Sequence, residues 1–119
     1  MPFEYVTSTV SLLVNDGIAV HVLNNGASTE RARIQFFENT GAGAVQVADS
    51  GDIEFIATGA GGTGLTVQKS GEYWVRIRVS SEFLVAQVSF ERLDGTSRNP
   101  IIVYSPRDFA VFELPHRIW

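Results

Sequence analysis

A chain of 119 residues with no cysteine has the size of one domain and excludes disulfides, thiolate metal sites and a thiol nucleophile, so its apolar core alone must hold it together. Thirteen acidic against nine basic residues leave a net charge of -4, which favours solubility and argues against a nucleic-acid partner or a basic membrane-binding surface. No apolar run approaches the ~20 residues that span a bilayer, and Met1-Pro2-Phe3-Glu4-Tyr5 lacks the features of a secretory signal, so the chain reads as cytoplasmic as written, with attachment to a surface or particle left open.

No window repeats apolar residues at helical spacing, whereas Val, Ile, Phe and Thr crowd short runs separated by Gly, Asn, Asp and Ser, so the expectation is an all-β chain. The first run, Tyr5 to Val14, alternates imperfectly and ends at Asn15-Asp16-Gly17, whose Asp-Gly pair signals a turn. In Ile18 to Leu23, Ile18, Val20 and Val22 fall on one face and Ala19, His21 and Leu23 on the other, before Asn24-Asn25-Gly26 breaks the run. Arg31 to Glu38 predicts a third strand, with Ala32, Ile34 and Phe36 inward and Arg31, Arg33, Gln35 and Phe37 outward. Ala44 to Ala48 and Asp52 to Ala57 flank Asp49-Ser50-Gly51 and read as a hairpin or an edge pair. Gly59 to Gly64 holds four glycines in six residues, which cost entropy to order and predict a mobile loop.

Gly64 to Gln68 is a short strand leading into the cleanest pattern in the chain: Tyr73, Val75, Ile77 and Val79 alternate with Trp74, Arg76, Arg78 and Ser80. Glu82 to Arg92 is another long strand, with Leu84, Ala86, Val88 and Phe90 on one face. Asp94-Gly95 turns the chain, Thr96 to Pro100 extends the loop, and Ile101 to Tyr104 and Phe109 to Leu114 complete the strands on either side of Pro106. About eight or nine strands with turns every 8–12 residues or so predict a single antiparallel β-sandwich domain over residues 1–119.

Ser70-Gly71-Glu72-Tyr73-Trp74-Val75 resembles the corner leading into the sixth strand of immunoglobulin-like domains, with Val75 where the cysteine would stand. The resemblance implies that the Tyr73 hydroxyl bonds to backbone a few residues upstream, and Val67 fits the apolar anchor of the fibronectin type III version. Ile18 to Gly26, followed by Arg31 to Phe37, is similar to the strand, turn and strand of CARDB-type bacterial adhesion sandwiches. The alternative is the jelly roll of complement and tumour-necrosis-factor-like domains, which similarly runs through a Gly-x-Tyr into a core strand and would imply a trimer.

Pairing of the third and sixth strands would gather Arg31, Arg33, Phe37, Trp74, Arg76 and Arg78 on one outward face, four of the nine basic residues of an acidic chain. Such a face offers cation–π and planar stacked contacts to an acidic protein, an acidic carbohydrate or another copy of the chain. The plain alternative is a sheet face laced by cross-strand pairs with Glu30, Glu72, Glu82 or Glu91. Ile118 and Trp119 form a secondary candidate surface, because a free tail rarely exposes such residues without use.

His21 and His116 lack the companions of a metal or catalytic site. Asp49, Asp52 and Glu54 lack a dense calcium-binding pattern and serve as turn and edge residues. No Lys-Ser or Lys-Thr follows the glycine-rich stretch as a phosphate cradle requires. The expectation is a non-catalytic binding or structural module, with no cofactor or metal and with neither nucleic acid nor membrane as partner. A homo-oligomeric jelly-roll subunit of a surface, spore or phage assembly is the first alternative, and a carbohydrate-binding module the second.

Overall fold

The computed structural model describes residues 1–115. Among the described residues the chain forms ten strands: β1 (Phe3–Val6), β2 (Val10–Leu12), β3 (Gly17–Asn24), β4 (Glu30–Thr40), β5 (Gly43–Phe55), β6 (Ala60–Thr66), β7 (Gly71–Val79), β8 (Leu84–Asp94), β9 (Ser97–Tyr104) and β10 (Ala110–Glu113). They build two antiparallel sheets packed face to face, an all-β sandwich. One sheet runs β10-β1-β7-β4-β5, with β2 also pairing β7, and the other runs β6-β3-β8-β9.

The period-2 pattern dictates the layers. Tyr73, Val75, Ile77 and Val79 of β7 stand opposite Glu38, Phe36, Ile34 and Ala32 of β4, and all except Glu38 join the apolar core. Val20 and Val22 of β3 and Leu84, Val88 and Phe90 of β8 fill the facing layer. Each Val, Leu, Ile or Phe among them, moved from water to this interior, contributes about 1.5–3 kcal/mol against the entropy of ordering the chain.

Four elements depart from the expected pattern. The run from Tyr5 to Val14 is two strands, because the ladder with β7 is interrupted between Val6 and Val10, where Thr7 Oγ1 accepts a hydrogen bond from Val75 N at 3.0 Å. Asp49-Ser50-Gly51 is no hairpin turn: β5 runs through it as one strand against β4, with register shifts between Arg33 and Gln35 and between Phe36 and Phe37. Gly51 takes a positive φ there, and Ser50 Oγ accepts from Ile34 N at 2.9 Å, so the extra residues are absorbed as bulges.

The glycine-rich stretch is likewise a strand. β6 pairs β3 from Thr66↔Gly17 to Ala60↔Leu23, and at Gly62 a Cβ would collide with the carbonyl of Val20. The glycines thus permit close backbone approach, and the loop expected over Gly59 to Gly64 is corrected to an edge strand. Of Thr96 to Pro100, expected as loop, Thr96 stays in the turn while Ser97 to Pro100 pair with β8 as the start of β9.

The Tyr73 hydroxyl donates to Lys69 O at 2.7 Å, the bond expected at the corner before this strand. Its pKa is raised, first by burial and then by the negative charge of Glu38. Tyr73→Phe is therefore expected to destabilise the protein by about 1 kcal/mol, the usual net worth of such a bond, measured by urea unfolding. An unchanged midpoint would show that the corner bond contributes nothing.

Candidate functional site

The outer face of the first sheet brings the predicted residues together, because β4 and β7 are hydrogen-bonded neighbours. Their register sets Arg33 opposite Arg78, Gln35 opposite Arg76 and Phe37 opposite Trp74. Three arginines across two adjacent strands would repel one another unless acids intervene. The intervening acids come from the flanking strands β1 and β5.

Asp49 on β5 takes a bidentate pair from Arg33, whose Nε donates to Oδ1 at 3.0 Å while Nη2 donates to Oδ2. The Arg33 guanidinium holds the Asp49 carboxyl far below the usual carboxylate range, helped by Gly51 N and the Gln35 amide. Glu4 on β1 accepts from Arg78 Nε at 3.0 Å and lies 3.7 Å from Arg76 Nε. Gln35 Oε1 accepts from Arg76 Nε and Nη2 at 2.9 and 2.8 Å, and its amide donates to Gln46 Oε1 at 3.0 Å. Burial pushes the Arg76 pKa down, and the neighbouring Arg78 charge adds to it.

The next outward pair along the same two strands is an aromatic stack. Phe37 and Trp74 rings are 4.3 Å apart and nearly parallel, and the Arg76 guanidinium carbon sits 4.8 Å from the Phe37 centroid. Phe37 is in consequence only 9% exposed. Trp74 Nε1 donates to Asn39 Oδ1 at 2.9 Å, anchoring the indole edge. Arg31 is exposed at the end of the row, opposite Glu54 on β5.

The face is therefore laced across strands, its arginines by Glu4 and Asp49 rather than by Glu30, Glu72, Glu82 or Glu91, while Glu30 accepts from Ser80 Oγ at 2.8 Å. Gln35, Glu4, Asp49 and Asn39 are the members that alternation alone did not single out as residues of this face. Gln35 was already marked as outward, while the role of Glu4 required knowing that β1 pairs with β7, which no local pattern encodes. Ile118 and Trp119, and also His116, lie outside the described residues.

His21 projects from the outer face of β3 opposite Gln87. Both border a shallow groove of about 900 Å³ floored by Ala19, Gly62 and Gly64. Among the described residues no three His, Asp or Glu side chains are grouped as a metal site would need. Of the acidic residues Asp49, Asp52 and Glu54, Asp49 is committed to Arg33.

No protein-family model matches the chain, and no curated protein matches it in sequence. Among solved structures, the crystal structure of Thermotoga maritima 1070 is similar to it, with a TM-score of 0.55 and 13% identity over 86% of this chain and 90% of that one. At that identity the likeness shows the fold alone.

Proposed function

We propose that the chain is a non-catalytic jelly-roll subunit that assembles with copies of itself along the flank formed by β9 and β10. The observation that carries this reading is the run of exposed apolar side chains on these two edge strands. Ile102 is 41% exposed, Val111 51% and Phe112 53%, with Ile101 and Val103 beside them. Unpaired edges with apolar side chains invite another chain to cover them.

Strand order supports the jelly-roll form over the immunoglobulin-like one. In an immunoglobulin-like sandwich the strand after the tyrosine-corner strand stays in the same sheet. Here β8 crosses to the second sheet to lie between β3 and β9, in keeping with two interleaved Greek keys. The corner bond of Tyr73 is thus compatible with either topology.

A second reading, recognition of an acidic protein or carbohydrate by the arginine face, draws support from Arg33, whose side chain is 41% exposed, and from the exposed Arg31. It ranks lower because Asp49 and Glu4 already neutralise much of the charge. A carbohydrate-binding role through the groove on the second sheet ranks third, since Ala19, Gly62 and Gly64 offer no aromatic ring for a sugar to stack on.

Light scattering at micromolar concentration tests the first reading. A stable homo-oligomer is expected, and Ile102→Lys combined with Phe112→Lys should yield a monomer whose unfolding midpoint falls by only a few degrees, since exposed changes usually cost under ~0.5 kcal/mol each. A wild-type monomer would sink the proposal. Retardation of that monomer by an acidic polysaccharide, lost on Trp74→Ser with Arg76→Gln, would favour the second reading.

A further inference from the structure

The parity of β4 puts a carboxylate where the core should continue. Glu38 follows Ala32, Ile34 and Phe36 on the inward side of β4, and its side chain is only 9% exposed. Room for it comes from β7: a Cβ on Gly71 would approach Glu38 Oε2 to 2.8 Å, so a larger residue there would displace the carboxylate. Glu38 lines a cavity of about 240 Å³ whose other walls include Val47, Leu65, Val67 and Tyr73.

The ion-pair partner of Glu38 among the described residues is Lys69, with Nζ at 3.5 Å on a side chain that is 70% exposed. A pair held by so exposed a lysine is weak and exchangeable. Tyr73 cannot serve as a second donor while its hydroxyl is committed to Lys69 O. The result is a carboxylate in an apolar recess with a loosely held cation at the mouth. Burial of a carboxylate calls for a cationic or strongly donating partner.

We propose that this cavity binds a small primary alkylammonium ion, its apolar stem against Val47, Leu65 and Val67 and its ammonium on Glu38 in place of Lys69. At ~30 Å³ per water-sized group the cavity holds on the order of eight non-hydrogen atoms, room enough for a four-carbon stem and its ammonium with water beside them. Displaced Lys69 returns to water, so the exchange conserves charge inside the recess. The site is separate from the β9–β10 flank, and either proposal stands or falls without the other.

The probe is n-butylammonium chloride, titrated at constant ionic strength while the methyl resonances of Leu65 and Val67 are followed. Saturable shifts are expected in the wild type. Lys69→Ala removes the competing ammonium and should tighten half-saturation about two- to fivefold, the factor an exposed ion pair contributes. Glu38→Gln should abolish saturation. No saturable shift in Lys69→Ala overturns the proposal, as does equal binding by a folded Glu38→Gln variant. Should Glu38→Gln not fold, n-butanol on Lys69→Ala decides: weaker binding of the alcohol supports the carboxylate, and equal binding overturns it.

Discussion

Replacing Asn24 with alanine is expected to lower stability by about 3 kcal/mol, the largest effect foreseen for any polar side chain here. Asn24 closes β3 and is fully buried. Its Nδ2 faces Ser28 O at 2.8 Å, Phe55 O at 2.9 Å and Ile56 O at 3.1 Å, and its Oδ1 accepts from Gly26 N at 2.9 Å. One amide thereby joins the turn after β3 to the connection between β5 and β6. Alanine would leave a buried carbonyl and neighbouring backbone groups without partners, and each stranded group costs ~1–3 kcal/mol.

A chain of this size should lose about 10 °C in Tm for that change, whereas Asn25→Ala, at the exposed neighbour, should stay within about 0.5 kcal/mol. Asn24→Asp offers a sharper test. Its carboxylate still accepts from Gly26 N but turns a negative oxygen toward three carbonyls, so the variant should be as weak as alanine at pH 7. Partial recovery on acidification, when a protonated carboxyl can donate, would mark the carbonyl contacts as the cause. Equal stability of Asn24→Ala and wild type in urea unfolding would refute this account.

Asp16→Ala is expected to cost about 2 kcal/mol. The Asp16 side chain is only 4% exposed, and it accepts Leu13 N at 2.7 Å and Arg92 Nε and Nη2 at 3.2 and 3.0 Å. It therefore clamps β8, close to the turn that joins it to β9, to the turn between β2 and β3. Arg92 is half-exposed and rehydrates when its partner is lost, so most of the cost falls on the stranded Leu13 N–H.

The same carboxylate sets an acid limit. Asp16 is held below the usual carboxylate range, chiefly by its hydrogen bond from Arg92, and Asp49 is held further below by Arg33. The unfolded chain lacks these partners, so it takes up protons first as pH falls. Stability from both groups is thus fully present above about pH 4 and is lost as pH drops toward the lowered folded values. Tm should be flat from pH 7 to about 5 and fall below about pH 4, less steeply in a variant carrying Asp16→Ala and Asp49→Asn. Parallel acid slopes in wild type and variant would exclude these two carboxylates as the cause.

These two aspartates and Asn24 show where local pattern stops informing. In sequence each is an ordinary turn former, and Asp16 and Asn24 do stand at turns. That they are buried follows from strands brought in from more than thirty residues away, Phe55 and Ile56 for Asn24 and Arg92 for Asp16. Asp49-Ser50-Gly51 misled for the same reason. Its turn propensity is real but weaker than the eleven-residue strand β4 alongside, which captures it as a bulge. At β6 glycine's freedom to enter a loop lost to the close approach it allows against β3.

Of the candidate face, the outward residues of β4 and β7 were legible because alternation is local. Their aromatic stack and shared register followed once the two strands were paired as expected. The balancing acids were not legible, since Glu4 and Asp49 arrive from strands whose neighbours depend on topology. Glu38 escaped because an inward parity at the last turns of a strand reads in sequence as a charged strand end.

Composition and period-2 alternation by themselves determined an all-β chain, its inward rows and the Arg, Trp and Phe side chains of β4 and β7. Those properties depend on each residue and its immediate neighbours. Tertiary structure alone decided the sheet that β8 joins, the burial of Asn24, Asp16 and Glu38, and the exposure of Ile102, Val111 and Phe112 on the flank. Each of these depends on which distant strand arrives alongside, a choice governed by the packing of two whole sheets rather than by any run of residues.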